Sequence, residues 1–227
     1  MSAPTAKELE ALANFRPLVA DLNLNDEQKS DMFMLRWLRA RELNLKAAEE
    51  MLRKSMKWRQ DNDTDNVLTW EAPKQFQLEF AYDYDGLDKD GCPVVAIPFG
   101  KWDVRKAVES GQKAIYLRYF DQLCERMLSI MRERSQSRPA NEPITQMTII
   151  WDLDGFSLRQ MAARGTIDAT LEGVKRFEAN YPEILKASIG INAPRIFALM
   201  FGLIKPLLTP RTLEKVQIWG SNSNKWK

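Results

Sequence analysis

The chain has 227 residues, 44% of them hydrophobic and 28% charged, which suits a folded protein with a sizeable core and excludes intrinsic disorder. Thirty-three Lys and Arg against 31 Asp and Glu leave a net charge of +2, too slight to point to a polyanionic partner. There is no histidine, which excludes Ser-His-Asp and Cys-His nucleophiles, His-ligated zinc and imidazole bases.

The first part of the chain reads as helical. Residues 6–20 carry Leu9, Leu12, Phe15 and Val19 at spacings of three and four, the period of one helix face. Asp26-Glu27-Gln28 opens a second helix with Phe33, Met34, Trp37 and Leu38, and a third over 45–60 stripes Ala48, Met51, Leu52, Ser55 and Met56. Short links between them predict an antiparallel helical bundle. Residues 60–90 hold nine acids and two lysines, and 83–91 read as a turn-rich loop.

From there strands and helices alternate. Residues 92–97 read as a strand, 112–134 as a long helix, and 144–153 as a β-branched strand ending at Asp154-Gly155. A helix over 166–179, a strand over 186–191, helices over 195–204 and 210–216, and an apolar run over 216–219 complete the chain. Such alternation predicts an α/β fold with a largely parallel sheet, behind a helical N-terminal lobe. The expected domains are residues 1–72 and 73–227.

Several motifs invite chemistry. Asp61-x-Asp63-x-Asp65 imitates the start of a calcium loop, but Asn66 stands where the loop needs glycine and Ala72 where it needs glutamate; Asp88-x-Asp90-Gly91 lacks its first ligand. Both read as solvated acidic loops, so no metal site is expected. The ten glycines never fall two apart, so no dinucleotide fingerprint exists and no cofactor is expected. Asp152 and Asp154 share one face at a strand end, where they would either serve as an acid/base pair or bond loop amides.

Residues 183–227 carry seven Lys and Arg and two Glu, a net +5, so an anionic headgroup or membrane surface is a better partner than nucleic acid. Residues 196–204 are apolar nearly all round, as in a buried helix. The stretch beyond, bracketed by Pro206 and Pro210, sets Leu207, Leu208, Leu213 and Val216 against Arg211 and Lys215, a pattern open to a lid, an interfacial helix or a static surface helix. In the 146–151 strand Met147, Ile149 and Trp151 share one face and Thr148 and Ile150 the other, which predicts a strand covered on both sides.

Leu35-Arg36-Trp37-Leu38-Arg39-Ala40-Arg41, with Ala48-Glu49-Glu50-Met51-Leu52-Arg53 and Trp58-Arg59, resembles the N-terminal helical part of CRAL-TRIO lipid-binding proteins. Asp88-Lys89-Asp90-Gly91-Cys92-Pro93-Val94, Asp152-Leu153-Asp154-Gly155, Glu178-Ala179-Asn180-Tyr181-Pro182-Glu183, Asn192-Ala193-Pro194 and Ile204-Lys205-Pro206-Leu207-Leu208 follow in order. The resemblance is nearest to the supernatant-protein-factor, or tocopherol-associated, branch of phosphatidylinositol-transfer-like proteins.

The resemblance implies a sheet flooring a hydrophobic cavity for one lipid, carried or presented without covalent chemistry, so the protein is expected not to be an enzyme. Phosphatidylinositol-binding members place headgroup contacts at positions matching Arg41, Glu183, Thr212 and Lys215. The cavity is expected to be lined by Met147, Ile149, Trp151, Phe197, Met200 and Phe201. A gate helix is expected at 205–216, with Leu207, Leu208, Arg211, Leu213 and Val216.

Glu42 replaces a lysine often found after the arginine at 41, and Met147, Ile149 and Trp151 stand where phosphatidylcholine binders carry hydroxyls. Both departures favour a tocopherol, isoprenoid or sterol precursor over a phospholipid. The chain ends at Lys227, short of the segment that usually closes the family module. With no signal peptide in the sequence and Cys92 and Cys124 expected to stay reduced, the protein is expected to be cytoplasmic, and the resemblance implies reversible docking on membranes. The rival readings are a phosphoinositide-presenting regulator, an interaction module without a ligand, and a hydrolase built on Asp152 and Asp154.

Overall fold

The structure, a computed structural model, describes residues 4–139, 142–222 and 224; the chain end at Lys227 lies outside them. Helix α1 (Ala6–Leu18) starts at a reciprocal cap, in which the Thr5 hydroxyl accepts from the Glu8 amide and the Glu8 carboxylate from the Thr5 amide. Helix α2 (Asp31–Ala40) starts five residues later than its sequence suggests. Asn25 and Gln28 close a separate turn by exchanging side-chain bonds, and Ser30 caps the helix proper. Helix α3 (Leu45–Asp61) starts from Asn44. Leu12, Phe15, Leu35, Leu38 and Leu52 from these three helices form a core of their own.

A 3₁₀ turn (Thr64–Thr69) and the short helix α4 (Lys74–Glu79) lead to the sheet. The remaining elements are β1 (Asp83–Leu87), β2 (Pro93–Ile97), α5 (Val104–Glu109), α6 (Lys113–Ser135), β3 (Met147–Asp152), α7 (Leu158–Met161), α8 (Arg164–Asn180), β4 (Leu185–Ile191), α9 (Phe197–Ile204), a 3₁₀ turn (Lys205–Leu207), α10 (Pro210–Leu213) and β5 (Val216–Ile218). The α/β class is the one the alternation predicts. Strand β1, expected as loop, is an edge strand with every residue exposed, so its sequence shows no alternation. Asp83 and Asp85 keep that edge from pairing with another chain.

Strand order follows chain order, β1-β2-β3-β4-β5, with β1 antiparallel and the rest parallel. Because the order never reverses, right-handed crossovers put every crossover helix on the same face. The other face carries Val94, Ala96, Thr148, Ile150, Ala187 and Ile189, of which Thr148 is buried and the rest are half-buried, all outside the buried core clusters. Strand β3 thus has buried residues on both faces, as its apolar run suggests, with the crossover-helix side, at Met147 and Ile149, the more deeply covered. Gly100 lets the chain after β2 cross the end of β3: a Cβ there would lie 2.0 Å from the Asp154 carbonyl oxygen.

The contacts that join the helical lobe to the rest of the molecule include two made by the end of α3. Trp58 meets Tyr181 edge-on at 6.3 Å, and the Arg59 guanidinium, 12% exposed, lies 2.7 Å from Glu125 on α6.

Candidate functional site

The register of the sheet builds a floor from two rows. Ile149 pairs with Ser188 and Ser188 with Val216; Trp151 pairs with Gly190 and Gly190 with Ile218. Every second residue of a strand faces the same way, so these six point together at the crossover helices. Three helices answer with stripes at helical spacing. Helix α6 presents Tyr116, Phe120, Cys124 and Met127, and α8 presents Thr170, Gly173, Val174 and Phe177. Helix α9 and the turn after it present Phe197, Phe201, Ile204 and Leu208.

Between floor and helices lies an apolar cavity of about 150 Å³. Small residues help to open it: Gly173 stands opposite the Phe120 ring, and Gly190 leaves the floor low between Leu153 and Ile218. The polar atoms on its walls are mostly engaged. The Trp151 indole N–H donates to the Ser188 hydroxyl at 3.0 Å, and the Thr170 hydroxyl donates to the Thr166 carbonyl at 3.0 Å.

Of the residues expected to line a cavity, Ile149, Trp151, Phe197 and Phe201 border it. Met147 and Met200 do not. Met147 is fully buried one step down the floor, and Met200 packs with Leu153, Phe156 and Phe197 at the cavity wall. Sequence reasoning found helices α6 and α8 but not their inward stripes. The spacing 116-120-124-127 was the signal available.

The expected gate helix over 205–216 is broken into a 3₁₀ turn and the four-residue α10, because Pro206 and Pro210 interrupt it. Val216 belongs to β5 and Leu208 borders the cavity, while Leu207 and Leu213 are half-buried beside it. The cover is α9, which the all-round apolar pattern marked as buried. It is instead a surface helix with Leu199 61% and Leu203 43% exposed, between the exposed Arg195 and Lys205.

Arg41, Glu183, Thr212 and Lys215, four residues from three separate stretches of chain, line one small second pocket of about 30 Å³ together with Arg211. Arg41 follows the end of α2, where Glu42 and Leu43 reverse the chain with φ of 51° and 63°. Its guanidinium donates to the Ala40 carbonyl and makes no ion pair among the described residues. Glu183, on the turn before β4 at φ 61°, has a side chain only 7% exposed. Arg211 at 3.0 Å and Lys215 at 3.5 Å compensate its charge. Arg211, expected on the gate, therefore belongs to this pocket.

On α8, Glu178 accepts from the Thr209 amide, and Thr209 and Thr212 share a hydrogen bond between their hydroxyls at 2.9 Å. Phe177, Leu185 and Thr212 line both this pocket and the cavity, so the two are contiguous.

The other candidate motifs are accounted for structurally. The Asp152 carboxylate accepts from the Asp154 amide and the Asn192 side chain, a strand-end turn. Asp61, Asp63 and Asp65 pair with Lys57, Arg118 and Arg59, and Lys186 bridges Asp88 and Asp90. Among the described residues no acidic cluster could hold a metal ion, and no helix is long and apolar enough to cross a membrane.

Comparison with known proteins agrees with this architecture. A family model for the CRAL/TRIO domain matches residues 80–226. "Protein real-time" of Aedes aegypti is 28% identical over 210 residues, 92% of this chain and 32% of that protein, so the chain spans about a third of this relative. The crystal structure of Sfh5 shares the fold with a TM-score of 0.77 at 17% identity, over 99% of this chain and 84% of that one.

Proposed function

The chain belongs to the CRAL/TRIO domain family, a lipid-binding and not an enzymatic fold, and on that premise we propose that it holds one hydrophobic lipid between sheet and α9 and carries it between membranes. The observation behind this reading is that an apolar cavity adjoins a polar pocket, with Phe177, Leu185 and Thr212 lining both. An amphipathic molecule needs that combination. Apolar burial supplies affinity at about 0.8 kcal/mol per CH₂, and no covalent step is required.

The polar end of a phospholipid would meet Arg41, Lys215, Thr212 and Glu183. A guanidinium without a carboxylate partner suits a phosphate, and Glu183 can accept from hydroxyls. The floor favours neutral ligands such as a tocopherol, isoprenoid or sterol precursor, because Ile149, Trp151 and Val216 offer such a molecule apolar surface and the Trp151 N–H is engaged.

At about 150 Å³ the cavity is below the ~300 Å³ at which pockets for drug-sized ligands begin, so loading requires the cover to move. Helix α9 is suited to that. It closes the cavity with one face and offers Leu199 and Leu203 to a bilayer with the other, with Arg195 and Lys205 placed for anionic headgroups. Docking on a membrane would thus be reversible and peripheral, from the cytoplasmic side.

Native mass spectrometry of the purified protein, followed by extraction and lipid identification, tests the reading. A stoichiometric neutral lipid or phospholipid supports it and selects between the two classes. A protein that is empty and takes up no offered lipid would instead favour a protein-interaction module.

A further inference from the structure

One tyrosine that lines the cavity has a hydroxyl without a partner among the described residues. Tyr116 sits early in α6 and lines the void. Its ring is held by Phe80 at 5.4 Å between centroids, and the residue is only 3% exposed. No hydrogen bond engages its hydroxyl among the described residues. One turn along the same helix the Tyr119 hydroxyl donates to the Phe80 carbonyl at 3.3 Å, so an available carbonyl is taken by the neighbour. The Tyr181 hydroxyl is also unpartnered, but it is sealed in the core. The Tyr116 hydroxyl is not among the fully buried unpartnered atoms, and its residue lines the void.

The rest of the wall gives a ligand little to bond. Thr170 is bonded to Thr166, Thr212 to Thr209, and Trp151 to Ser188, whose hydroxyl proton alone stays free. A buried hydroxyl without a partner costs about 1–3 kcal/mol, and a ligand oxygen arriving there relieves that cost. We infer that Tyr116 is a specificity-determining residue that selects lipids carrying a single hydroxyl or carbonyl oxygen, which enter the cavity polar end first and accept a hydrogen bond from its phenol. The inference rests on the lipid-carrier reading and narrows it to lipid alcohols and lipid carbonyl compounds.

Hexadecan-1-ol and hexadecane, a chain-matched pair, test it when offered from phosphatidylcholine vesicles to wild type, Tyr116→Phe and Ser188→Ala. Tyr116→Phe is expected to lower affinity for the alcohol about fivefold, the size of one net hydrogen bond, and to leave the hydrocarbon within twofold. The empty Tyr116→Phe protein is expected to melt no lower than wild type, since the change removes an unpartnered hydroxyl. Equal effects on both probes, no effect on either, or a loss that follows Ser188→Ala instead would overturn the role of Tyr116 while the lipid-carrier reading stands. A wild-type protein that takes up neither probe overturns both.

Discussion

The Arg211 guanidinium joins three parts of the molecule, with Nε 3.0 Å from the Glu183 carboxylate and Nη1 donating to the Arg39 carbonyl at 3.2 Å. Helix α10, the turn before β4 and the end of α2 are thereby tied at one point, beside the polar pocket that adjoins the cavity. On the proposed reading, in which the cover moves to load a lipid, this contact would restrain the segment that follows α9.

Arg211→Ala is expected to release that restraint. The arginine side chain is 47% exposed, so the pair is worth at most about 1 kcal/mol, and the gain in exchange rate should not exceed about fivefold. Lys215 remains on Glu183, so the fold should hold. Dequenching of a fluorescent lipid moved between vesicles measures the rate; an unchanged rate would mean that the contact does not limit opening.

Gly190 offers a way to fill the cavity without disturbing the core. A Cβ there would lie 3.3 Å from the end of the flexible Leu153 side chain and 3.6 Å from Ile218, contacts that a small shift accommodates. Gly190→Leu should therefore occupy the floor between Trp151 and Ile218 and lower lipid uptake at least tenfold. Its thermal midpoint should stay within a few degrees of wild type. Retained uptake would place the ligand elsewhere.

Leu199 and Leu203 predict the membrane contact. Full burial of a leucine contributes about 1.5–3 kcal/mol, and these two are largely free to insert. Leu199→Asp and Leu203→Asp should each reduce co-sedimentation with vesicles about tenfold, whereas Leu207→Asp, at a half-buried position, should also disturb packing. Equal binding by all three variants would remove α9 from the docking surface.

Stability at low pH has a defined contribution from Glu8. The Arg39 guanidinium, bonded to it at 2.7 Å, holds its carboxyl down from 4.5 to about 2. The folded state thus holds the proton less readily than the unfolded chain. The stabilisation is complete above about pH 4.5 and is lost as pH falls toward 2. Glu8→Gln should lower stability by about 2 kcal/mol at neutral pH, and its difference from wild type should shrink across that window. Urea midpoints between pH 2 and 6 check this, and a constant difference would refute it.

The helices α1, α3, α6 and α8 were legible because each exceeds ten residues and repeats its apolar spacing over several turns. The short α4, α5 and α7 hold too few residues for a period to emerge. Strand β1 is exposed throughout and shows no alternation. In the proposed headgroup pocket, Arg41, Glu183, Thr212 and Lys215 were named only through resemblance to a family. Nothing in the spacing of four residues spread over 175 positions announces that they meet.

Taken alone, the sequence determined what depends on near neighbours: the alternation of strand and helix, the absence of imidazole chemistry, and the apolar character of residues 196–204. Burial and emptiness were decided by the fold. An apolar helix reads the same whether a core covers it or it faces outward as α9 does, because hydropathy records affinity for water and not the presence of a neighbour. A cavity is likewise space left where Gly173, Gly190 and Ser188, on different elements, stop short of filling the gap between sheet and helices. Each is an ordinary small residue until the register of the sheet and the common hand of the crossovers bring them to one place.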